Sequence, residues 1–237
     1  VSSLVRAGGP RSPLAQVLLV RFAAQVIAEA GAPSSSSSSN EPRPYFEFLE
    51  GCMRNRAEMV VVEAARAVAR MPGVTARELA PAVAVLQIYL RSSRPVLRFA
   101  AVRTLAAVAA GAHPQAVTPA NADLEALVSD ANRSVATLAI ATLLKTVCPS
   151  DGAGMVERLL GHVGSLMGDI GDEFRVVLVS AIRVLCLKFP AKHRALMGFL
   201  ASALREDGGL EYKRSIVDAI VSLVRAIPDA REPGLGH

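Results

Sequence analysis

Four histidines, three cysteines and two polar turns are the residues from which this 237-residue chain would have to build any chemistry. His113, His162, His193 and His237 stand without a partner motif. No G-x-S-x-G is present to put a nucleophile on a sharp turn where a histidine could deprotonate it. Neither H-E-x-x-H nor a paired C-x-x-C occurs, so no zinc ligand set is spelled out. The phosphate-cradling G-x-x-x-x-G-K-[ST] is missing as well. Catalytic, metal-ligating and cofactor-binding residues are therefore assigned to none, and the chain reads as a non-enzyme.

Cys52, Cys148 and Cys186 are odd in number, far apart and set among apolar neighbours. That pattern predicts buried free thiols in a reducing compartment rather than a disulfide framework. The sequon Asn132–Ser134 matters only in a secreted chain and is given no weight. Gly152–Gly154 and Gly208-Gly209 read as helix ends rather than phosphate loops.

Two polar clusters are left. Asp130-Ala131-Asn132-Arg133-Ser134 precedes an expected helix, which Asp130 or Asn132 can cap while Arg133 joins an Asp–Arg ladder between neighbouring units. In Arg205–Arg214 the pair Gly208-Gly209 separates two helices, and Tyr212, Lys213 and Arg214 fall on the first turn of the second. Turn chemistry is the favoured reading of both clusters. The competing reading makes Asp130, Asn132, Arg133, Tyr212, Lys213 and Arg214 a partner-binding set. Arg54-Asn55-Arg56 and Lys192-His193-Arg194 are short basic runs at expected helix ends, where cations suit a C-terminal dipole.

The elements that must position these turns are helices. The chain is 51% hydrophobic but only 4% aromatic, without a tryptophan. Alanine and leucine favour helix, and small residues let helices approach closely. No apolar stretch reaches the roughly 20 uninterrupted residues of a spanning helix; Arg183 interrupts Val176–Leu187. No signal peptide is visible in Val1–Pro13. A net charge of +5 permits weak attraction to anionic surfaces. The sparse aromatics give no stacking platform for a nucleic acid, so none is expected as partner.

The strongest signal is a recurring pair: an alanine followed four residues later by a branched aliphatic. It appears as Ala23/Ile27, Ala64/Val68, Ala101/Leu105, Ala139/Leu143, Ala181/Leu185 and Ala219/Leu223, spaced 41, 37, 38, 42 and 38 residues apart. The mean, about 39, sits at the short edge of the roughly 40–47 residues of HEAT and armadillo repeats. An i, i+4 pair lies on one helix face, where alanine admits a neighbouring helix and the aliphatic fills the space beside it.

Between these B-type helices the sequence predicts A-type helices over Pro44–Asn55, Thr75–Tyr89, Thr118–Ser129, Met155–Met167 and Ala191–Arg205. Thr75 and Glu78 form a possible capping box, and Pro119 takes a favoured first position. The expected fold is an all-α HEAT/armadillo-type solenoid of about six helix pairs, the first incomplete. Residues 1–237 are expected to form one continuous fragment, with a flexible Ser-rich loop at 32–43. With Val at its start and no polar capping repeat at either end, the chain is expected to be an excerpt of a longer protein.

Several segments go beyond the periodicity: Arg54–Val68, Arg77–Ser92, Leu97–Ala109, Asp130–Thr146, Asp172–Ile182 and Leu204–Ile220. Together they resemble the trunk of the gamma subunits of coatomer, with polar turn residues included in the likeness. The resemblance implies a structural role in the COPI coat, alongside zeta, beta and delta subunits. It also implies recruitment by an Arf-family GTPase in its GTP form, and peripheral association with Golgi membrane from the cytoplasm. The Ser tract departs from the expected shorter linker. The alternative is another HEAT scaffold, such as a clathrin-adaptor large subunit or a transport receptor.

Overall fold

The computed structural model describes residues 9–30, 43–147 and 153–227. The described residues form eleven α-helices and two 3-10 segments, with no strand. Two compact units divide the chain between Asp123 and Leu124.

The first unit holds α1 (Pro13–Ala30), α2 (Arg43–Cys52), α3 (Glu58–Ala69), α4 (Ala76–Leu90) and α5 (Pro95–Ala110), followed by a 3-10 segment, Pro114–Ala120. The B-type helices stack in order, α1 on α3 and α3 on α5. The A-type helix α2 packs on α1 and α3, and α4 on α3 and α5. A short helix α6 (Asn121–Ala126) straddles the division. The second unit repeats the plan with α7 (Arg133–Thr146), α8 (Ala153–Met167) and α9 (Asp172–Lys188), then a 3-10 turn (Pro190–Lys192), α10 (His193–Arg205) and α11 (Leu210–Ala226). Here α7 stacks on α9 and α9 on α11.

The recurring pairs account for this stacking. All twelve anchor residues are buried, none more than 3% exposed. Burying one such aliphatic side chain contributes about 1.5–3 kcal/mol, and the alanine beside it keeps the helices close enough for that contact. On α5 and α7 the buried faces also hold Thr104, Thr137, Thr142 and Thr146. Each hydroxyl donates back along its own helix, to Ala100 O (2.8 Å), Arg133 O (2.8 Å), Leu138 O (2.6 Å) and Thr142 O (3.2 Å) respectively. The hydroxyls thereby avoid the desolvation penalty of an unpaired buried donor.

Local chemistry sets the helix ends. Thr75 caps α4 in a capping box: its Oγ1 accepts from Glu78 N (3.3 Å), and Glu78 Oε2 accepts from Thr75 N (2.8 Å). The turn before it needs Gly73, whose φ of +70° suits glycine best. Pro81 lies inside α4 but is exposed, so the carbonyl it leaves unpaired is on the side open to water.

The third A-type helix departs from expectation. Thr118–Ser129 is not one α-helix begun by Pro119; Pro119 sits inside the 3-10 segment, and only Asn121–Ala126 is α-helical. An α-helix through Pro119 would lose an i→i−4 bond and crowd the preceding turn, whereas short 3-10 winding accommodates it. Lys192-His193-Arg194 also differs, lying at the N-terminal end of α10, where the dipole disfavours cations. An ion pair from Lys192 to Glu157 offsets that. The Ser-rich loop and Cys148 lie outside the described residues, except that Arg43 begins α2. Cys52 and Cys186 are buried free thiols, each pushed by burial to a pKa of about 11, which keeps the reactive thiolate scarce. No helix of the described residues is long and apolar enough to cross a membrane.

Candidate protein-binding surface

Polar side chains on the helices and at their ends bond across to the neighbouring pair, at separations of 32 to 43 residues that track the repeat. In the first unit Arg21 Nε meets Glu63 Oε1 at 2.7 Å, and Arg94 pairs with Glu58. Arg91 grips Asp123 with two bonds, Nε to Oδ1 (2.6 Å) and Nη2 to Oδ2 (3.1 Å), and Gln87 Nε2 adds a third at 2.6 Å. The Arg91 hydrogen bond, helped by Gln87, holds the Asp123 carboxyl below its usual range against the opposing pull of desolvation. In the second unit Glu125 pairs with Arg158, Arg133 with Asp169 (3.0 Å), and Lys188 donates to the Lys145 carbonyl.

The first predicted cluster sits in this frame. Asn132 caps α7, its Oδ1 accepting from Ser134 N (3.0 Å) and Val135 N (3.3 Å). Asp130 Oδ1 accepts from Asn132 N at 2.7 Å, which fixes the capping residue. Arg133 reaches from the start of α7 to Asp169, just past the end of α8. Asn132 and Arg133 are exposed and Asp130 half-buried.

The second cluster is organised by residues that sequence reasoning missed. Asp172, at the start of α9, accepts from Gly209 N through Oδ2 (2.6 Å) and from Arg175 Nη1 through Oδ1 (3.2 Å). Arg175 also donates from Nε to Met167 O (2.8 Å) and from Nη1 to Asp207 O (2.9 Å). One guanidinium thus ties the end of α8, the start of α9 and the α10–α11 turn. It lies 5.4 Å from the centroid of the Tyr212 ring, within cation–π range. Tyr212 is fully buried, so a molecule docking on this turn meets half-buried Lys213 and exposed Arg214 instead of the ring. The two glycines are more than a helix end. A Cβ on Gly208 would stand 2.4 Å from the Tyr212 ring, and one on Gly209 2.6 Å from Asp172 Oδ2. The only advance signal was the Asp172/Gly209 separation, which falls within the repeat spacing.

Stacked helix pairs with polar bonds at repeat spacing define an armadillo/HEAT-type α-solenoid. A designed armadillo repeat protein has the same fold, with a TM-score of 0.66 at 19% identity over 94% of this chain and 99% of that one. The karyopherin Kap121p, in a crystal structure with the extreme C-terminus of the phosphatase Cdc14p, matches at 0.55 and 13% identity, over 97% of this chain and 24% of that one.

The chain belongs to the adaptin N-terminal region family, which it matches over residues 1–237. It is 59% identical over its full length to coatomer subunit gamma-2 of Oryza sativa subsp. japonica, covering 26% of that protein. Identity to coatomer subunit gamma of Arabidopsis thaliana is 58%, with the same coverage. For human coatomer subunit gamma-2 it is 49%, over 97% of this chain and 25% of that one. The chain thus spans about a quarter of the length of these relatives.

Proposed function

We propose that this chain is a length of the gamma-type trunk of a COPI vesicle coat, a non-enzymatic scaffold that holds other coat subunits. Identity of 49–59% to coatomer gamma subunits across nearly the whole chain carries this reading. Buried residues are only about a third of those the structure describes, so that identity must extend beyond the buried core. The fold alone does not demand it, since a solenoid with 19% identity has the same architecture. Identity beyond what the fold requires supports a shared role.

In this reading residues 1–237 are one continuous stretch of trunk whose protein partners are the zeta, beta and delta subunits. An Arf-family GTPase in its GTP form brings the assembly from the cytoplasm to the Golgi membrane as a peripheral coat. The edges carrying Asp130, Asn132 and Arg133, and Lys213 and Arg214 above the buried Tyr212, serve as partner contacts. Extended complementary area, rather than one deep pocket, supplies the affinity.

The test is a pull-down with the full-length protein assembled with its zeta-type partner. It is expected to capture the Arf-family GTPase in the GTP form and to release it in the GDP form. Equal capture of the two forms would overturn the coat reading.

A further inference from the structure

In the first unit α3 and α5 enclose a groove of about 190 Å³ whose lining combines apolar and cationic side chains. Val62, Phe99 and Ala100 supply its apolar part, all half-buried. Arg66 and Arg70 line it from α3 and the residue that ends it, and Arg103 from α5. Phe99 and Arg103 are four apart, as are Val62, Arg66 and Arg70 in turn, so each helix presents one stripe to the groove.

The charge is unbalanced. Glu63 is the one carboxylate in the lining, and it is already held by Arg21 at 2.7 Å and by Arg66. Among the described residues the exposed guanidiniums of Arg70 and Arg103 make no ion pair and no hydrogen bond. Elsewhere in the unit the ladder satisfies Arg91 and Arg94, whereas Arg70 and Arg103 face the groove without a counter-charge among the described residues.

We propose that this groove docks an extended acidic segment of a partner protein, one apolar side chain seated on Phe99 and Val62 with flanking carboxylates on Arg70 and Arg103. The volume is below the roughly 300–1,000 Å³ of small-molecule pockets and suits a single side chain. Arginine's planar fork matches a carboxylate with two parallel bonds. A membrane is the poorer occupant, because the apolar groups are recessed between helices and none protrudes to enter a bilayer. A nucleic acid is poorer still, because one aromatic makes no stacking platform.

The proposal does not depend on the coat reading, and its test uses no coat component. A fluorescent peptide with a central leucine flanked by glutamates is titrated into the full chain. The comparison peptides replace leucine by alanine, or the glutamates by glutamines. The double variant Arg70→Gln/Arg103→Gln should fold normally by circular dichroism, since both side chains are exposed, and lose roughly tenfold or more in affinity. The leucine-to-alanine peptide should bind several-fold more weakly. Indifference to the glutamate replacement, or undiminished binding by the double variant, overturns the proposal. So does tighter arginine-dependent binding of vesicles containing 20% phosphatidylserine, or of a single-stranded oligonucleotide, than of the acidic peptide.

Discussion

Arg175 has more to do than any other single side chain described above: three carbonyl or carboxylate partners and the face of Tyr212. Its side chain is only 14% exposed, so its bonds are stronger than those of a solvated surface pair. The neighbouring glycines differ in how far their surroundings can yield. The Tyr212 ring is buried and cannot move aside for a Cβ on Gly208, whereas the Asp172 carboxylate, 41% exposed, can swing away from one on Gly209. Gly208→Ala is therefore expected to destabilise by about 1–3 kcal/mol, the range of an overpacked core. Gly209→Ala is expected to cost less. Urea unfolding of the two variants checks this ranking, and a Gly209→Ala cost equal to or above that of Gly208→Ala would contradict it. Neither residue has a positive φ, so the cause is close approach alone.

At the scale of one element, α7 shows how a helix start is secured. Asn132 binds two of the N–H groups that a helix leaves unpaired, while the exposed Arg133–Asp169 pair adds little. Asn132→Ala should cost about 1 kcal/mol, and Arg133→Ala a smaller amount. Hydrogen exchange localises the effect: protection of the Ser134 and Val135 amides should fall in Asn132→Ala and persist in Arg133→Ala. Equal loss in both variants would give the ion pair a larger role than its exposure allows. The cap was legible from residue type and position alone, because capping is local chemistry between residues two or three apart. The 3-10 segment around Pro119 was not, because a proline suits the first turn of an α-helix as well as a tighter turn. The choice rests on where the surrounding helices leave room.

For each unit as a whole, the polar bonds between successive helix pairs link stability to pH. Asp123 is the best case, its carboxyl held below the usual range chiefly by Arg91. A depressed folded-state pKa adds stability that is complete above the unfolded value, near 3.8, and is lost as pH falls through the lower folded value. Acid unfolding below about pH 4 should therefore be partly carried by this residue. In Asp123→Asn the difference in stability between pH 6 and pH 3 should shrink, as read by thermal melts at the two values. An unchanged difference would mean that the bond contributes nothing to the linkage.

The sequence alone determined the period, the anchor alanines and aliphatics, the buried cysteines at 52 and 186, and most helix spans. It could do so because a 3.6-residue face pattern repeated every 39 residues or so is written locally, copy after copy. Polar turn segments also pointed to the coatomer gamma family, since turn identity is free to vary where only the fold is at stake. What the tertiary structure decided is the set of meetings between residues 32 to 43 apart: Arg175 with Asp207, Asp172 with Gly209, Arg91 with Asp123. It also set the groove where α3 brings Arg66 and Arg70 beside Phe99 and Arg103. Repeat spacing says which helices are neighbours, but contact between two side chains depends on how far each pair is turned against the next. That rotation is fixed by packing summed over the whole interface, and no single residue records it.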